Sequence, residues 1–315
     1  MWNTTHLRAS SSLAFIVALF PLFAYAPIAG ETPDAGRFVS RATIIFGGDM
    51  MFDRTVRTAI DKNGGDFIFS CISPVLADAD FVVANLEGPI TPNVSVSEAS
   101  SPGDEFNYTF TFPDSTAELL FAHKIIVVNL GNNHIQNFGW EGVRSTIIAL
   151  ENAGVAYFGD PVNLRVAEVE ANGVRLAFIG YNEFGSTSPA TSAAPTTIAQ
   201  IQIERRKGFL PIVYTHWGVE YATTSSAYSH ELAHSFIDAG AEIVIGSHPH
   251  VVEENEIYKN KHIYYSLGNF IFDQYFNDDV RAGLLLDITF SQDGVVRVKE
   301  IPIHLETDRR TCPVG

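Results

Sequence analysis

Short apolar runs alternate with segments of helical periodicity along the chain from Arg41 onward. The apolar runs are almost continuous in valine, isoleucine and leucine, which is typical of strands buried on both faces of a sheet. This pattern predicts strands at residues 42–48, 81–86, 125–131, 175–181, 210–216, 242–248 and 262–268. The alternation of such strands with helices indicates an α/β protein.

Three segments place apolar residues at helical spacing, and we expect helices within residues 114–123, 142–154 and 229–241. Serine and aspartate are favoured where a helix starts, and glycine is favoured just after it ends. The candidate caps and stops are Asp114, Ser115 and Ser229 at helix starts, and Gly154 and Gly240 at helix ends.

The last part of the chain has a different pattern. Two alternating runs within residues 281–305 flank Asp293 and Gly294, a pair that strongly favours a hairpin turn. We therefore expect a core of stacked sheets that is closed by a C-terminal antiparallel hairpin. Residues 91–110 and 182–197 are rich in turn formers, and both are predicted to be long loops, the first one beside the functional site.

The N-terminus has the features of an export signal. Arg8 is its only firm positive charge, an apolar stretch broken by Pro21 follows, and small residues then give way to a polar segment. Residues 1–30 are therefore predicted to be a cleaved signal peptide or a retained membrane anchor, although Pro27 disfavours a cut directly after Ala26. We expect a periplasmic or extracellular protein, either free or anchored by its N-terminus.

The chain is acidic, with 36 acidic and 20 basic residues and a formal net charge of −16. Such a field repels a nucleic-acid backbone, and no dense run of lysine and arginine offsets it, so we expect no nucleic-acid partner. A polyanionic substrate would also be repelled unless a bound cation supplied positive charge nearby. Only 18% of residues are charged and 46% are hydrophobic, which favours one large folded domain, predicted at residues 41–305.

The two cysteines, Cys71 and Cys312, lie in neither a redox nor a metal-binding spacing. In an oxidising compartment they could form a disulfide. Two unpaired thiols are equally compatible with the sequence.

Polar side chains follow most of the predicted strands, at the point where each strand ends. Because the carboxyl ends of strands in an open α/β sheet converge on one edge, these side chains can meet in a single pocket. They are Asp49 after the first strand, Asn85 and Glu87 after the second, Asn132, Asn133 and His134 after the third, His216 and Glu220 after the fifth, His248 and His250 after the sixth, and Asn269 and Asp273 after the seventh.

Carboxylates, amide oxygens and neutral imidazoles together are the ligand set of Zn, Mn or Fe. His248 and His250 lie two residues apart, so in an extended segment both rings point to one face, and Pro249 stiffens the link. Each ring could serve one of two ions held about 3.5–4 Å apart by a bridging carboxylate. The sequence therefore predicts a centre for one or two divalent metal ions.

Each of these residues also has an ordinary structural explanation. Asp49 could cap a helix that starts near Met50. Asn133 could stabilise a turn, Glu87 could be a solvated acid of a loop, and His216 could be a hydrogen-bonded histidine of the core. Five strand ends with metal-compatible groups favour one shared centre over these separate explanations.

Six sequence blocks stand between about Arg41 and about Phe276: GGDMMFDR, ANLEGPIT, NLGNNHIQNFG, THWGVEY, GAEIVIGSHPHV and YSLGNFIFDQ. In this order they resemble the motifs of the CapA family, also called PgsA, whose members are capsule-synthesis proteins linked to poly-γ-glutamate. The Asn-Leu-Glu, Asn-Asn-His, His-Trp-Gly-x-Glu-Tyr and His-Pro-His blocks are highly specific in this order.

The CapA family is in turn similar to the calcineurin-like metallophosphoesterases. That resemblance implies a four-layer αββα sandwich with a binuclear metal centre, in which Glu87 takes the place of the bridging acid and His134 acts as an acid near the leaving group. His216 and His248 would complete the shell of one ion, and His250 that of the other. The implied ligands are Asp49, Glu87, Asn133, His216, His248 and His250.

This chain departs from the superfamily pattern at two positions. Met51 stands where the first motif has a histidine, and a thioether is a poor ligand for these ions. We therefore expect the ion of Asp49, Glu87 and His250 to bind weakly or to take another ligand. Asn137 stands where family members often have an aspartate, so a charge behind the motif histidine is not expected.

Two functions fit these residues. The first is a metal-dependent hydrolase of phosphoester or γ-glutamyl amide bonds, in which the cation activates water, His134 gives a proton to the leaving group, and Arg54 or a second ion stabilises developing charge. The second is a non-catalytic component that binds metal or polymer in a capsule assembly complex. The sequence therefore leaves enzymatic activity open.

The expected partners are an anionic polymer or a small anionic substrate, together with a membrane-bound capsule synthesis complex. Polar and aromatic side chains near the predicted pocket are the candidates for substrate contacts. They are Asn85, Trp217, Glu220 and Asn269.

Overall fold

The computed structural model of the chain describes residues 40–184 and 194–314. The predicted signal peptide or membrane anchor at residues 1–30 lies outside this part of the chain. Among the described helices, none combines the length and the apolar character that crossing a membrane requires.

The first sheet contains eight strands within the described residues. It consists of β1 (Ala42–Met50), β2 (Phe81–Leu86), β3 (Ile125–Asn129), β4 (Ala156–Phe158), β11 (Asn269–Ile271), β12 (Ala282–Ser291), β13 (Gly294–Leu305) and β14 (Thr311–Pro313). The strand order is β14-β13-β12-β1-β2-β3-β4, and β11 also pairs with β1. Strands β1 to β4 are parallel, whereas β12, β13 and β14 extend the sheet by antiparallel pairing.

The second sheet contains six strands in the same part of the chain. It consists of β5 (Ala167–Ala171), β6 (Val174–Asn182), β7 (Leu210–His216), β8 (Ile243–Ser247), β9 (Asn255–Tyr258) and β10 (Lys261–Tyr264). The order is β5-β6-β7-β8-β10-β9, in which the four central strands are parallel and the two edge strands are antiparallel to their neighbours.

Seven helices connect these strands in residues 40–184 and 194–314. They are α1 (Arg54–Asn63), α2 (Asp66–Phe69), α3 (Ser73–Ala77), α4 (Ser115–Ala122), α5 (Gly139–Ala153), α6 (Ala194–Lys207) and α7 (Ala227–Ala239). Gly154 and Gly240 adopt the left-handed conformation directly after α5 and α7, as predicted for helix stops.

Three apolar clusters separate four layers. Phe46, Val83 and Phe178 belong to the cluster between the two sheets. A second cluster packs α1 to α5 on the outer face of the first sheet, and a third packs α6 and α7 on the outer face of the second. Neighbouring residues of a strand, such as Ile45 and Phe46, face different clusters, which explains the nearly continuous apolar runs. The predicted four-layer αββα sandwich is confirmed.

The C-terminal hairpin is also present. Strands β12 and β13 pair antiparallel, with Ser291 opposite Gly294 at the turn. Residues 91–110 contain no helix or strand, so this segment is the predicted long loop. The structure joins Cys71, which follows α2, to Cys312 in β14 by a disulfide, and this resolves the two alternatives left by the sequence.

Two local predictions are wrong. Helix α6 begins at Ala194, so the end of the loop predicted at 182–197 is helical, while residues 185–193 lie outside the described part. Its buried face mixes Thr197 and Glu204 with Ile201, so polar residues interrupt the apolar stripe that reveals a helix in the sequence. Helix α7 is capped by Ser226, whose hydroxyl accepts a hydrogen bond from the backbone N–H of Ser229, the predicted cap.

Candidate metal centre

The predicted ligands meet where the carboxyl ends of the parallel strands of both sheets come together. Asp49 lies in β1, Glu87 follows β2, His216 ends β7, and His248 and His250 follow β8. All five residues are buried. Asn133, in the segment after β3, completes the set, and we call these six residues the central site. The topology explains the convergence, because ligand sites in α/β folds form beyond the carboxyl ends of parallel strands.

Glycines allow the ligand-bearing strands to lie close to the segment that follows β10. A side-chain carbon at Gly48 would lie 1.8 Å from the carbonyl oxygen of Gly268. A side-chain carbon at Gly246 would lie 1.8 Å from the carbonyl oxygen of Tyr265. Any other residue at these positions would push β1 or β8 away and displace the ligands that follow.

Asp49 is held from two sides. Its Oδ1 accepts a hydrogen bond of 2.8 Å from the amide of Asn85, and its Oδ2 accepts one of 3.0 Å from the backbone N–H of His248. Burial raises the pKa of Asp49 to about 6 despite these bonds. Asp53, not Asp49, caps helix α1, so the alternative role predicted for Asp49 is excluded.

Glu87 is fully buried, and neither of its carboxylate oxygens has a hydrogen-bond partner among the described residues. The nearest histidine nitrogens are Nε2 of His250 at 3.5 Å, Nε2 of His134 at 3.9 Å and Nε2 of His216 at 4.0 Å. Burial and the neighbouring Asp49 carboxylate raise the pKa of Glu87 well above its usual value. An uncompensated carboxylate is costly in such a place, and a bound cation would compensate its charge.

His216 has polar neighbours at both ring nitrogens. Nδ1 lies 3.0 Å from the Ser247 hydroxyl, which donates to the carbonyl oxygen of Thr215 at 2.8 Å, and 3.4 Å from the amide nitrogen of Asn85. Nε2 lies 2.9 Å from Oδ1 of Asn133 and 4.0 Å from Oε1 of Glu87. Burial also lowers the pKa of His216 well below its usual value, which keeps the ring neutral.

Asn269 fixes the orientation of the His250 ring. The amide nitrogen of Asn269 donates to the carbonyl oxygens of Val280 and His250 and to Gln274, so its Oδ1 must accept the Nδ1–H of His250 at 3.0 Å. The free Nε2 then points at Glu87. A ligand histidine whose second nitrogen donates to an oxygen is the usual arrangement around protein-bound metals.

His248 has a backbone conformation that its sequence neighbours do not explain. Its φ is 99° and that of His250 is 59°, in the region that favours glycine. In this conformation the backbone N–H of His248 donates a hydrogen bond to Asp49. Nδ1 of His248 lies 3.2 Å from Nε2 of His216. Burial lowers the pKa of His248 to about 3, so this ring is neutral as well. Strained backbone of this kind is concentrated at functional sites.

The donor atoms form two groups that share one carboxylate. In the first group ligand atoms of Glu87, His216 and His248 lie within 4.8 Å of one another, and in the second those of Asp49, Glu87 and His250 do. These oxygen and nitrogen donors fit a divalent ion such as Mn, Zn or Fe. The structure therefore provides side chains that could hold one or two ions, with Glu87 common to both.

Met51 does not contribute to either group. Its side chain is fully buried in the cluster outside the first sheet, and its sulfur accepts a hydrogen bond from the backbone N–H of Asp53 at 3.0 Å. The group around Asp49 therefore has three charged or imidazole donors, and weak binding of an ion there stays a prediction.

His134 lies beside the central site. Its Nδ1 is 3.1 Å from Oδ1 of Asn137, which also accepts the backbone N–H of Phe110 and so acts as the acceptor. The Nε2 atom faces Glu87, 3.9 Å from its Oε1. Burial lowers the pKa of His134 to about 4, so the ring is neutral at pH 7.

Arg54 and a cavity of about 300 Å³ lie next to these residues. The Arg54 guanidinium forms an ion pair with Asp273, donates to Asn107 at 3.1 Å, and lies between the rings of Phe110 and Phe272. Phe272 in turn contacts His250, so the cavity adjoins the central site. The cavity is lined by Arg54, Thr55, Tyr108, Tyr221, Asp273 and Arg309, among others.

The residues predicted to contact substrate have different surroundings. Trp217 is fully buried and donates to the carbonyl oxygen of Tyr265, so the prediction for Trp217 is corrected. Asn85 and Asn269 are also fully buried, and they orient Asp49 and His250 instead of facing a substrate. Glu220 is exposed, and its charge contributes to the raised pKa of Glu87.

Sequence reasoning missed two residues that orient the centre. Ser247 places its hydroxyl 3.0 Å from Nδ1 of His216, and Asn129 donates to Oδ1 of Asn85 at 3.0 Å, which turns the amide of Asn85 toward Asp49. Both side chains are small, polar and located at strand ends. Position at the end of a strand was a sufficient signal to include them as candidates.

Comparisons with known proteins agree with these observations. The family described as "Bacterial capsule synthesis protein PGA_cap" matches residues 43–274. The chain is 28% identical to the capsule biosynthesis protein CapA of Bacillus anthracis, over 93% of this chain and 76% of that protein. It is 29% identical to the PGA biosynthesis protein CapA of Bacillus subtilis (strain 168), over 82% of this chain and 70% of that protein.

The fold has a counterpart among solved structures. A hypothetical protein from Thermus thermophilus superposes with a TM-score of 0.52 at 15% identity, covering 82% of this chain and 98% of that one. At this identity the likeness concerns the fold alone.

Proposed function

The chain belongs to the bacterial capsule synthesis protein family PGA_cap, and from this premise we propose that it is a metal-dependent hydrolase that acts outside the cytoplasm in poly-γ-glutamate capsule synthesis or export. The substrate class is a phosphoester or a γ-glutamyl amide within an anionic molecule. Two relatives named for capsule or PGA biosynthesis support the process.

One observation carries the proposal of metal-dependent chemistry. Both carboxylate oxygens of Glu87 are buried without a hydrogen-bond partner among the described residues, and Nε2 of His250 and Nε2 of His216 lie 3.5 Å and 4.0 Å from Oε1 of Glu87. Glu87, His216 and His250 would help to hold a divalent ion there, and such an ion would supply water activation and polarisation of an ester or amide oxygen. Without a cation the same arrangement would only destabilise the fold.

The chain's own residues would bind the substrate and exclude water. Arg54 and Arg309 both line the cavity beside the central site and provide positive charge for an anionic group. Tyr221 lines the same cavity and lies 6.2 Å from the ring of His250, so a substrate in the cavity reaches the centre. Phe110 and Phe272 pack around Arg54 and keep its charge poorly solvated.

His134 would move the proton. Its Nδ1–H is fixed by Asn137, so Nε2 is the atom that exchanges protons with substrate or water. Because the ring is neutral at pH 7, it takes up a proton from the attacking water before it gives one to the leaving group.

The disulfide between Cys71 and Cys312 supports a location outside the cytoplasm, since such bonds persist in oxidising compartments. The export features of residues 1–30 agree with it. Whether the N-terminus is cleaved or retained as an anchor is part of the same proposal and can be read from the mass of the mature protein.

A non-catalytic role is the second candidate, and two observations favour it. Met51 leaves the group around Asp49 with few donors, and Arg54 is already paired with Asp273. In this case the same residues would bind a cation or an anionic polymer in a capsule assembly complex without turnover.

An activity assay on the purified protein separates the two roles. We expect hydrolysis of a phosphoester or γ-glutamyl substrate in the presence of Mn²⁺ or Zn²⁺. The His248→Ala, His250→Ala double variant should lose bound metal and turnover together. His134→Gln should keep the metal and lose activity by about 10²–10⁴-fold, while His304→Gln, at a partly exposed histidine beside Glu306, serves as the control.

Metal bound by the wild-type protein without turnover of either substrate class would favour the non-catalytic role. Turnover that survives in the double variant would place the activity elsewhere in the chain.

A further inference from the structure

A second cluster of metal-compatible side chains lies on the outer side of the second sheet, where helix α7 packs against strand β9. We propose that His230, His234 and Glu256 form a separate Zn²⁺ site that shares no residue with the central site. The inference does not depend on hydrolytic activity, because it rests on the geometry of these three side chains and their neighbours.

The spacing of the two histidines brings them together. His230 and His234 are four residues apart in α7, so they lie on the same helix face, and Glu256 reaches them from β9. Ligand atoms of the three side chains all lie within 4.8 Å of one another. Each side chain is about one third exposed, so an ion could enter directly from solvent.

Both nitrogens of His230 have polar neighbours. Its Nε2 lies 2.9 Å from the Ser225 hydroxyl and 3.3 Å from Oε1 of Glu254, and an ion bound at Nδ1 would replace the contact of Nδ1 with the Tyr265 hydroxyl. Nδ1 lies 3.8 Å from Oε2 of Glu256, on the side where the ion would bind. A carboxylate behind a ligand histidine fixes its tautomer and strengthens it as a ligand.

The other two ligands are also held in place. The hydroxyl of Tyr265 lies 3.0 Å from Oε1 of Glu256 and 2.8 Å from Nδ1 of His230. Nε2 of His234 already contacts Oε1 of Glu256, and its ring stacks on Tyr258 at 3.8 Å. The side chains are thus ordered around the space between them before any ion binds.

The donor set selects the ion. Two imidazoles and one carboxylate with a remaining position for water are a common shell for Zn²⁺, whereas Mg²⁺ and Ca²⁺ prefer oxygen ligands. At neutral pH the site would consist of one carboxylate, two neutral rings and the divalent ion, with a net charge of about +1. Water at the protein surface readily solvates such a charge.

An ion here would connect two segments that lead to the central site. Helix α7 follows the loop that begins at His216, and β9 follows the segment that contains His248 and His250. A bridge from α7 to β9 would restrict both segments from outside. Zn²⁺ at the surface site should therefore raise the melting temperature even when the central site is disabled.

The test counts zinc in the purified protein after dialysis against micromolar free Zn²⁺. We expect the His230→Gln, His234→Gln double variant to hold one equivalent less than the wild-type protein. Glutamine keeps hydrogen-bonding capacity at both positions. His304→Gln is the matched control, since His304 is a partly exposed histidine beside Glu306 and outside the cluster.

A second pair of variants keeps the result independent of the central site and of folding defects. The His248→Ala, His250→Ala protein should retain one equivalent of Zn²⁺, and adding Glu256→Gln to it should remove that equivalent. Equal zinc contents for the wild-type protein and the surface double variant would overturn the proposal. If the double variant fails to fold, the Glu256→Gln comparison decides in the same way.

Discussion

At the scale of single residues, the account depends on which nitrogen of each histidine carries the proton. Asn137 and Asn269 accept the Nδ1–H of His134 and His250, and Nε2 of each ring faces Glu87. The repeated arrangement makes the interior rich in acceptors and poor in donors. A cation is the simplest partner for such a set.

Asn137 provides the sharpest test at this scale. In the Asn137→Asp variant the new carboxylate can still accept the N–H groups of His134 and Phe110, but its negative charge favours the imidazolium. The pKa of His134, about 4 in the wild-type protein, should rise by about one to two units. NMR titration of the His134 ring protons measures this directly.

The charge-matched control is Gln136→Glu, which adds a carboxylate next to Asn137 in sequence and leaves the hydrogen bond to His134 in place. We expect the pKa of His134 to change much less in this variant. An unchanged His134 pKa in Asn137→Asp, or an equal rise in both variants, would contradict the assigned hydrogen bond.

Sequence reasoning reached the histidines and acids of the centre but not the orientation of their rings. An apolar run precedes each of four ligand candidates, Asp49, Glu87, His216 and His248. That position at the end of a predicted strand was sufficient to predict that their side chains converge. The role of Ser247 depends on a contact with Thr215 of another strand, which no local pattern encodes.

At the scale of elements, the disulfide fastens the edge of the first sheet to the helical layer. Cys312 lies in the edge strand β14, and Cys71 lies between α2 and α3, 241 residues earlier. The Cys71→Ser, Cys312→Ser double variant should lose about 2–5 kcal/mol of the free energy of unfolding, because the bond restricts a long loop in the unfolded chain. Denaturant unfolding of both proteins measures the difference.

The wild-type protein in a reducing buffer should reproduce the stability of the double variant. If reduction leaves the unfolding midpoint unchanged, the crosslink does not have the role assigned to it.

The elements that the sequence predicted share one property. Strands β1, β2, β3, β6, β7 and β8 are buried on both faces, and their apolar runs are therefore unmistakable. Helix α6 was missed because polar residues occupy its buried face, and edge strands β5 and β9 were missed because they are short and half-exposed. Packing by neighbours, not local pattern, determines such elements.

At the scale of the whole molecule, an acidic chain keeps its two central carboxylates away from water. Burial raises the pKa of Asp49 and Glu87, and it lowers the pKa of the four histidines at and beside the centre. Below about pH 6.5, the usual pKa of histidine, these four rings take up protons when the chain unfolds, so acid favours unfolding. The two carboxylates have the opposite effect on stability. Their pKa values are higher in the folded protein, so they release protons when the chain unfolds near pH 5.

Burial also raises the pKa of Glu253 to about 8 and lowers the pKa of His262, so five histidines oppose three carboxylates and unfolding near pH 5 takes up about two net protons. In a chelating buffer the free energy of unfolding should therefore be smaller at about pH 5 than at about pH 7, as measured by denaturant titration. In His248→Asn the difference should shrink, since one titrating ring is gone. Equal or greater stability at the lower pH would contradict the burial of neutral histidines.

The most direct test of the central claim is the anomalous scattering of Mn²⁺ in crystals of the protein. We predict a peak in contact with Glu87, His216 and His248, and at higher Mn²⁺ a second peak between Glu87 and Asp49. Both should disappear in Glu87→Gln crystals. Crystals that show no peak within bonding distance of Glu87, or the same peaks in the variant, would contradict the account.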